Sequence, residues 1–107
     1  MEASEALQVI ASPRRLKILE LAWDRELSAG EIARNFDVTW SAISQHITVL
    51  KSAGFLVERR EGTSRLYRTD KEGLGPLRDV VEAQWRAGLM QVKSLAEQEH
   101  ARGKETR

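Results

Sequence analysis

Apolar residues in this chain recur mostly three and four apart, the spacing of one helix face, and only in one later interval do they gather into short extended runs. Ile43, Ile47 and Leu50, with Ala53 at the edge, fall on one side of a helix that Thr39 is placed to cap. Leu16, Leu19 and Trp23 share a face behind Ser12 and Pro13, an N-cap followed by a first-turn proline. Ile32, Ala33 and Phe36 form a third stripe, and Ser28 and Glu31 stand ahead of it at capping-box spacing, so a helix is expected from about Ala29. Glu5 to Ala11 suits a short leading helix that presents Leu7 and Ile10.

The third helix is expected to end near Asn35 to Asp37, leaving a three-to-four-residue turn before the fourth, the spacing of a helix-turn-helix. Asp37 stands where such turns often place glycine, and aspartate tolerates left-handed backbone better than most residues. After the fourth helix, Gly54 can close the last turn, and Phe55 to Val57 begin an extended run. Gly62-Thr63-Ser64 is a loop-type cluster, and Arg65-Leu66-Tyr67-Arg68 returns as a second strand. The expected architecture is mainly α with a small β-hairpin, in the order α-α-α-α-β-β-α.

Gly75 and Pro76 suit the start of a final helix reaching about Glu99, roughly 24 residues or ~36 Å. Leu74, Leu77, Val81, Trp85, Leu89, Val92 and Leu95 lie within about 120° of one another on it. A head of some 70 residues cannot cover the whole stripe. Each large apolar side chain left in water forgoes ~1.5 to 3 kcal/mol, so a partner helix is expected over its outer part. The chain thus reads as one domain: a head over 4–73, a long dimerisation helix over 74–99 and a polar tail over 100–107.

The outward face of the fourth helix changes this picture from fold to chemistry. Ser41, Ser44, Gln45, Thr48 and Ser52 occupy it without a carboxylate or lysine. Solvated faces ordinarily fill with Glu and Lys, which form helix better than Ser and Thr. Short neutral donors and acceptors suit base edges in a DNA major groove, where glutamine pairs bidentately with adenine and phosphates would repel carboxylates. Charge agrees: Thr39 to Thr69 holds five cations and two carboxylates, net +3, whereas the whole chain is +1 and the remainder −2. A basic head on a mildly acidic body suits a surface that meets polyphosphate.

The order of these features resembles the ArsR-type (arsenic-repressor-like) winged helix-turn-helix transcriptional regulators, over nearly the entire chain. The resemblance is carried by Ser12-Pro13-Arg14-Arg15-Leu16-Lys17-Ile18-Leu19, Leu27-Ser28-Ala29-Gly30-Glu31-Ile32-Ala33, Ser44-Gln45-His46-Ile47 with Leu50 and Ala53-Gly54, and Arg59-Arg60-Glu61-Gly62 with Tyr67. It implies a homodimer joined through the first and last helices, with Leu7, Ile10, Val81, Trp85, Leu89 and Val92 at the seam. It also implies a fourth helix in the major groove, with Trp40, Ser41, Ser44, Gln45 and Thr48 at bases or nearby phosphates and Arg65 reaching the minor groove; Thr39 and Arg60 complete the DNA-contacting set. For Trp40 two roles stay open: contact with a thymine methyl or sugar, or packing beside the preceding helix. The function implied is a sequence-specific regulator of double-stranded DNA, a repressor on an inverted-repeat operator.

Many members of that family sense metals, and here the chain departs from them. It has no cysteine, and Ser28 and Gly30 stand where the family's third-helix motif has thiolates. The two histidines are His46, expected to be half-buried and hydrogen-bonded or at a phosphate, and His100 in the polar tail. No metal site and no cofactor are expected, thiol oxidation is excluded, and no effector is named. Glu2 and Glu5 precede any apolar run, unlike a secretory signal, and no segment nears ~18 consecutive apolar residues, so a cytoplasmic protein without a membrane span is expected. An enzyme is not expected, because no nucleophile elbow, Walker loop or paired-histidine motif occurs. The competing reading is a winged-helix module that binds protein through Trp40 and the long helix; it leaves the arginine-rich hairpin unexplained.

Overall fold

In the computed structural model, which describes residues 2–88, the helices begin where their capping side chains place them. The first, α1 (Ala3–Ile10), has no side-chain cap. Ser12 Oγ accepts from the Arg15 N–H at 3.3 Å and opens α2 (Pro13–Leu21). Ser28 and Glu31 exchange bonds of 3.0 and 3.1 Å in a full capping box at the start of α3 (Ala29–Ala33). Thr39 Oγ1 accepts from the Ala42 N–H at 3.1 Å and opens α4 (Trp40–Ser52).

Residues 34–39 link α3 to α4, and among the described residues only glycines have positive φ. Asp37 therefore does not take the left-handed conformation expected of it. The link is longer than a three-residue turn and reverses without a strained residue. At the far end of α4, Gly54 (φ +82) does go left-handed: the Phe55 N–H reaches Leu50 O at 2.9 Å and the Gly54 N–H reaches Lys51 O at 3.0 Å, a complete Schellman closure.

The closure delivers the chain into β2 (Leu56–Glu61), which pairs antiparallel with β3 (Ser64–Thr69) across a two-residue loop whose Gly62 has φ +62. A third strand, β1 (Leu27–Ser28), adds to the outer edge of β3, giving the order β1-β3-β2. Sequence pattern missed it, since two residues hold no periodicity. The Thr69 N–H donates to Ala22 O at 2.9 Å and its Oγ1 to Leu19 O at 2.8 Å, fastening the root of the hairpin to the end of α2.

The core of the head lies where α2 meets α1, α4 and β3. Ile18, Leu19, Ala22, Ile32, Ile43, Ile47, Leu50, Phe55, Leu56 and Tyr67 are buried in it. The inward face of α2 is rotated from the expected one: Ile18 and Leu19 are fully enclosed, whereas Leu16 and Trp23 are half-buried. With partners on more than one side of α2, the buried face is wider than a single stripe.

Beyond the hairpin, Asp70 caps a one-turn helix, α5 (Lys71–Leu74), by accepting from the Gly73 N–H at 3.0 Å, and Gly75 (φ +54) ends it. Gly75 is thus a stop, not the start expected of it, and buried Leu74 belongs to α5. A further helix, α6, covers residues 77–88. The chain divides into two units, Met1–Leu77 and Arg78–Arg107; Val81 and Trp85 lie on α6 in the second. Leu89, Val92, Leu95, His100, the expected helix end at Glu99 and the tail over 100–107 lie outside the described residues.

Candidate nucleic-acid interface

Burial of Ile43, Ile47 and Leu50 fixes how α4 is turned, and everything on its other side follows from that. Thr39, Trp40, Ser41, Ser44, Gln45, Thr48 and Ser52 are exposed, the neutral face expected from the sequence. Two hydroxyl groups on it are partly committed. Thr39 Oγ1 is the cap acceptor and keeps its proton for an outside acceptor. Thr48 Oγ1 donates to Ser44 O at 3.0 Å, so it meets an outside group only with lone pairs and its methyl. Gln45 carries both donor and acceptor on the exposed face.

The register of the hairpin sets out the cations. Leu56, Glu58 and Arg60 pair with Thr69, Tyr67 and Arg65, so Arg60 and Arg65 share the sheet face that buries Leu56, Tyr67 and Thr69 nearer its root. Glu58, one step below, accepts from Tyr67 Oη at 3.0 Å and Lys51 Nζ at 3.3 Å, and lies 4.0 Å from Arg65 Nη1. The Tyr67 hydrogen bond, followed by Lys51 and Arg65, holds the Glu58 carboxyl below its ordinary range, and burial and Glu58 push the Tyr67 phenol up.

Arg59 is held differently. Its Nε and Nη2 fork onto Glu26 at 2.8 and 2.9 Å, and Nη2 also reaches Glu61 at 3.2 Å. The hydrogen bonds and charge of Glu26 raise the Arg59 pKa, and Arg59 in turn lowers that of Glu26. The formal +3 of Thr39 to Thr69 overstates the charge offered there, because Arg59 is held by Glu26, which lies outside that span; Lys51 is tied to Glu58, whereas Arg60 and Arg68 have no ion-pair partner among the described residues. Glu26 could not be foreseen in this role, being 33 residues from Arg59.

A notch of about 340 Å³ joins the two parts of the surface, lined by Ser28, Ala29 and Gly30 of the α3 start, Trp40 and Ser44 of α4, and Ser64, Arg65 and Tyr67 of the hairpin. The structure thereby brings Trp40, Ser44 and Arg65 of the expected set to one place. Trp40 is 58% exposed and borders the notch together with Ser28, Ala29 and Gly30 at the start of the preceding helix. His46, beside this face, is half-buried, and its Nδ1 accepts from Arg15 Nε at 3.3 Å while Arg15 Nη1 donates to Val9 O at 3.1 Å. Burial first, then Arg15 and Arg14, lowers the His46 pKa, so the ring is neutral near pH 7 with its proton on Nε2.

Of the α1 residues expected at a subunit seam, Leu7 is 48% exposed and borders an apolar groove with Ala3, Ala6, Phe55, Leu74 and Leu77, whereas Ile10 is buried. Among the described residues no group of three or more His, Cys, Asp or Glu side chains is arranged to hold a metal ion, and no helix is long and apolar enough to cross a membrane.

Comparison with known proteins places these features. Residues 12–57 match the model of the family described as bacterial regulatory protein, arsR family. The HTH-type transcriptional regulator Rv2034 of Mycobacterium tuberculosis is 36% identical over 94 residues, 88% of each chain. The transcriptional activator HlyU of Vibrio cholerae is 38% identical over 61 residues, 57% of this chain and 56% of that one. Its reduced form superimposes with a TM-score of 0.66 at 31% identity over 79% of this chain and 86% of its own. The homodimeric winged helix-turn-helix DNA-binding domain of Mb0332 from Mycobacterium bovis, a possible ArsR-family regulator, gives 0.66 at 30% identity over 78% and 77%.

Proposed function

The chain belongs to the arsR family of bacterial regulatory proteins and is a winged helix-turn-helix transcriptional regulator, and from that premise we propose that it binds an inverted-repeat operator as a homodimer and represses transcription in the cytoplasm. The observation that carries this is the carboxylate-free face of α4, which shares a notch with Arg65, itself paired across the hairpin with Arg60. Ser41, Ser44, Gln45 and Thr48 contact base edges or nearby phosphates, and Thr39 donates to the backbone. Arg65 and Arg60 enter the adjoining minor groove from the hairpin. Two α4 helices related by a two-fold axis lie ~34 to 36 Å apart, one per successive major groove.

Homodimerisation is supported by the homodimeric winged helix-turn-helix domain of Mb0332, by the exposed Leu7 and by the long apolar stripe of the sequence. Leu7 on α1 and Trp85 on α6 are the seam residues this reading keeps; Ile10 and Val81 are already buried in the single chain, and Leu89 and Val92 lie outside the described residues. Repression follows from steric exclusion, since a dimer seated on a promoter blocks polymerase. HlyU is an activator, so the fold alone does not fix the sign of control. The reading includes no catalytic step, metal or cofactor.

Selection of binding sites from random duplex by the full chain tests the proposal. It predicts a two-fold symmetric motif with half-sites one helical turn apart. Recovery of no enriched motif would contradict it and favour a winged-helix module that binds protein.

A further inference from the structure

Trp40 is the only large apolar side chain exposed on α4, and it stands at the first helical position, directly after the Thr39 cap. A tryptophan offers 150–250 Å² of contact area when covered, yet here its neighbours across the notch are the small residues Ser28, Ala29, Gly30 and Ser44, which leave the indole 58% exposed. The flanking chemistry is otherwise all hydrogen-bonding or cationic: Ser41, Ser44 and Gln45 along the helix, Arg65 across the notch. Resting on the DNA-binding reading above, we infer that Trp40 selects a thymine in each half-site through its C5-methyl group.

Position and chemistry both lead there. The first residues of a recognition helix reach base edges. Among the groups that base pairs display in the major groove, the thymine methyl is the only apolar one. Serine and glutamine read lone pairs and N–H groups but gain nothing from a methyl. An indole gains from covering a methyl and has little to offer the polar edges of guanine or cytosine beyond its single N–H. A tryptophan stacked on sugar would be indifferent to that methyl, which separates the two roles.

Replacing each thymine of the selected operator by deoxyuridine, one symmetric pair at a time, deletes the methyl and keeps every hydrogen bond. Fluorescence anisotropy with the wild-type protein should find one position where the change weakens binding about fourfold per half-site, the worth of one buried methylene. In Trp40→Ala the same change should cost less than twofold, and Trp40→Phe should fall between. Insensitivity of both proteins to the substitution at every thymine, or an equal penalty in wild type and Trp40→Ala, would overturn the inference while leaving operator binding intact. Failure of the wild type to bind any duplex would overturn the DNA-binding reading itself.

Discussion

Arg60 on β2 stands directly opposite Arg65 on β3, two guanidinium groups paired across the hairpin on one face. Like charges so placed oppose folding. With a polyanion present the same pair becomes favourable.

Replacing Arg60 should therefore move stability and binding in opposite directions. Arg60→Ala is expected to raise folding stability by ~0.2 to 1 kcal/mol. It should weaken binding to operator and random duplex alike and reduce the salt slope by about 1. Urea melts and anisotropy at several salt concentrations read the two effects; loss of stability with unchanged binding would refute the assignment.

Arg59 supplies the contrast. Because its guanidinium is forked onto Glu26 and touches Glu61, Arg59→Ala should leave the salt slope of duplex binding unchanged within error. A slope reduced as far as in Arg60→Ala would mean that Arg59 leaves Glu26 for phosphate.

Gln45 is exposed on α4, and the proposed function makes it a base reader. Gln45→Ala is expected to cost ~1 to 3 kcal/mol on the operator and to relax preference at one base position per half-site. Binding to randomised duplex should change far less. Equal losses on both would assign Gln45 to the backbone.

His46 predicts a pH dependence with a definite sign. Its pKa in the folded chain lies below the ordinary 6.5, so between the two values the unfolded chain binds more protons. Stability from this group is full above about 6.5 and falls as pH drops through that window. Protonation also puts a hydrogen on Nδ1 where Arg15 now donates. Melting temperature should fall between pH 7.5 and 5.5 in wild type and fall less in His46→Gln, since carboxylates with lowered pKa titrate below this range. A steeper fall in the variant would contradict the neutral, acceptor state of the ring.

What the sequence made legible was local. Ser12 with Pro13, Ser28 with Glu31, Thr39 and Gly54 each act within a few residues of themselves, and each is found at its helix end. The turned-out face of α4 was legible for the same reason, because Ile43, Ile47 and Leu50 repeat at helical spacing. What was hidden depends on distant partners or very short elements. Strand β1 exists only through Tyr67 and Leu66 of β3. The neutralisation of Arg59 needs Glu26, and the tether on His46 needs Arg15. Gly75 ends the one-turn helix that Asp70 caps, which the sequence pattern did not show, and the expected further helix follows from 77, directly after Pro76.

The central claim is that two copies of the chain together present their α4 faces and arginine-bearing hairpins to one duplex. Sedimentation of the full chain with an operator duplex, repeated across salt, tests it most directly. The account predicts two chains per duplex at 50 mM salt and an affinity lower by ~10³ to 10⁵-fold at 200 mM, as about six to ten phosphate contacts require. A single-chain species that leaves the duplex unbound at 50 mM salt would contradict it.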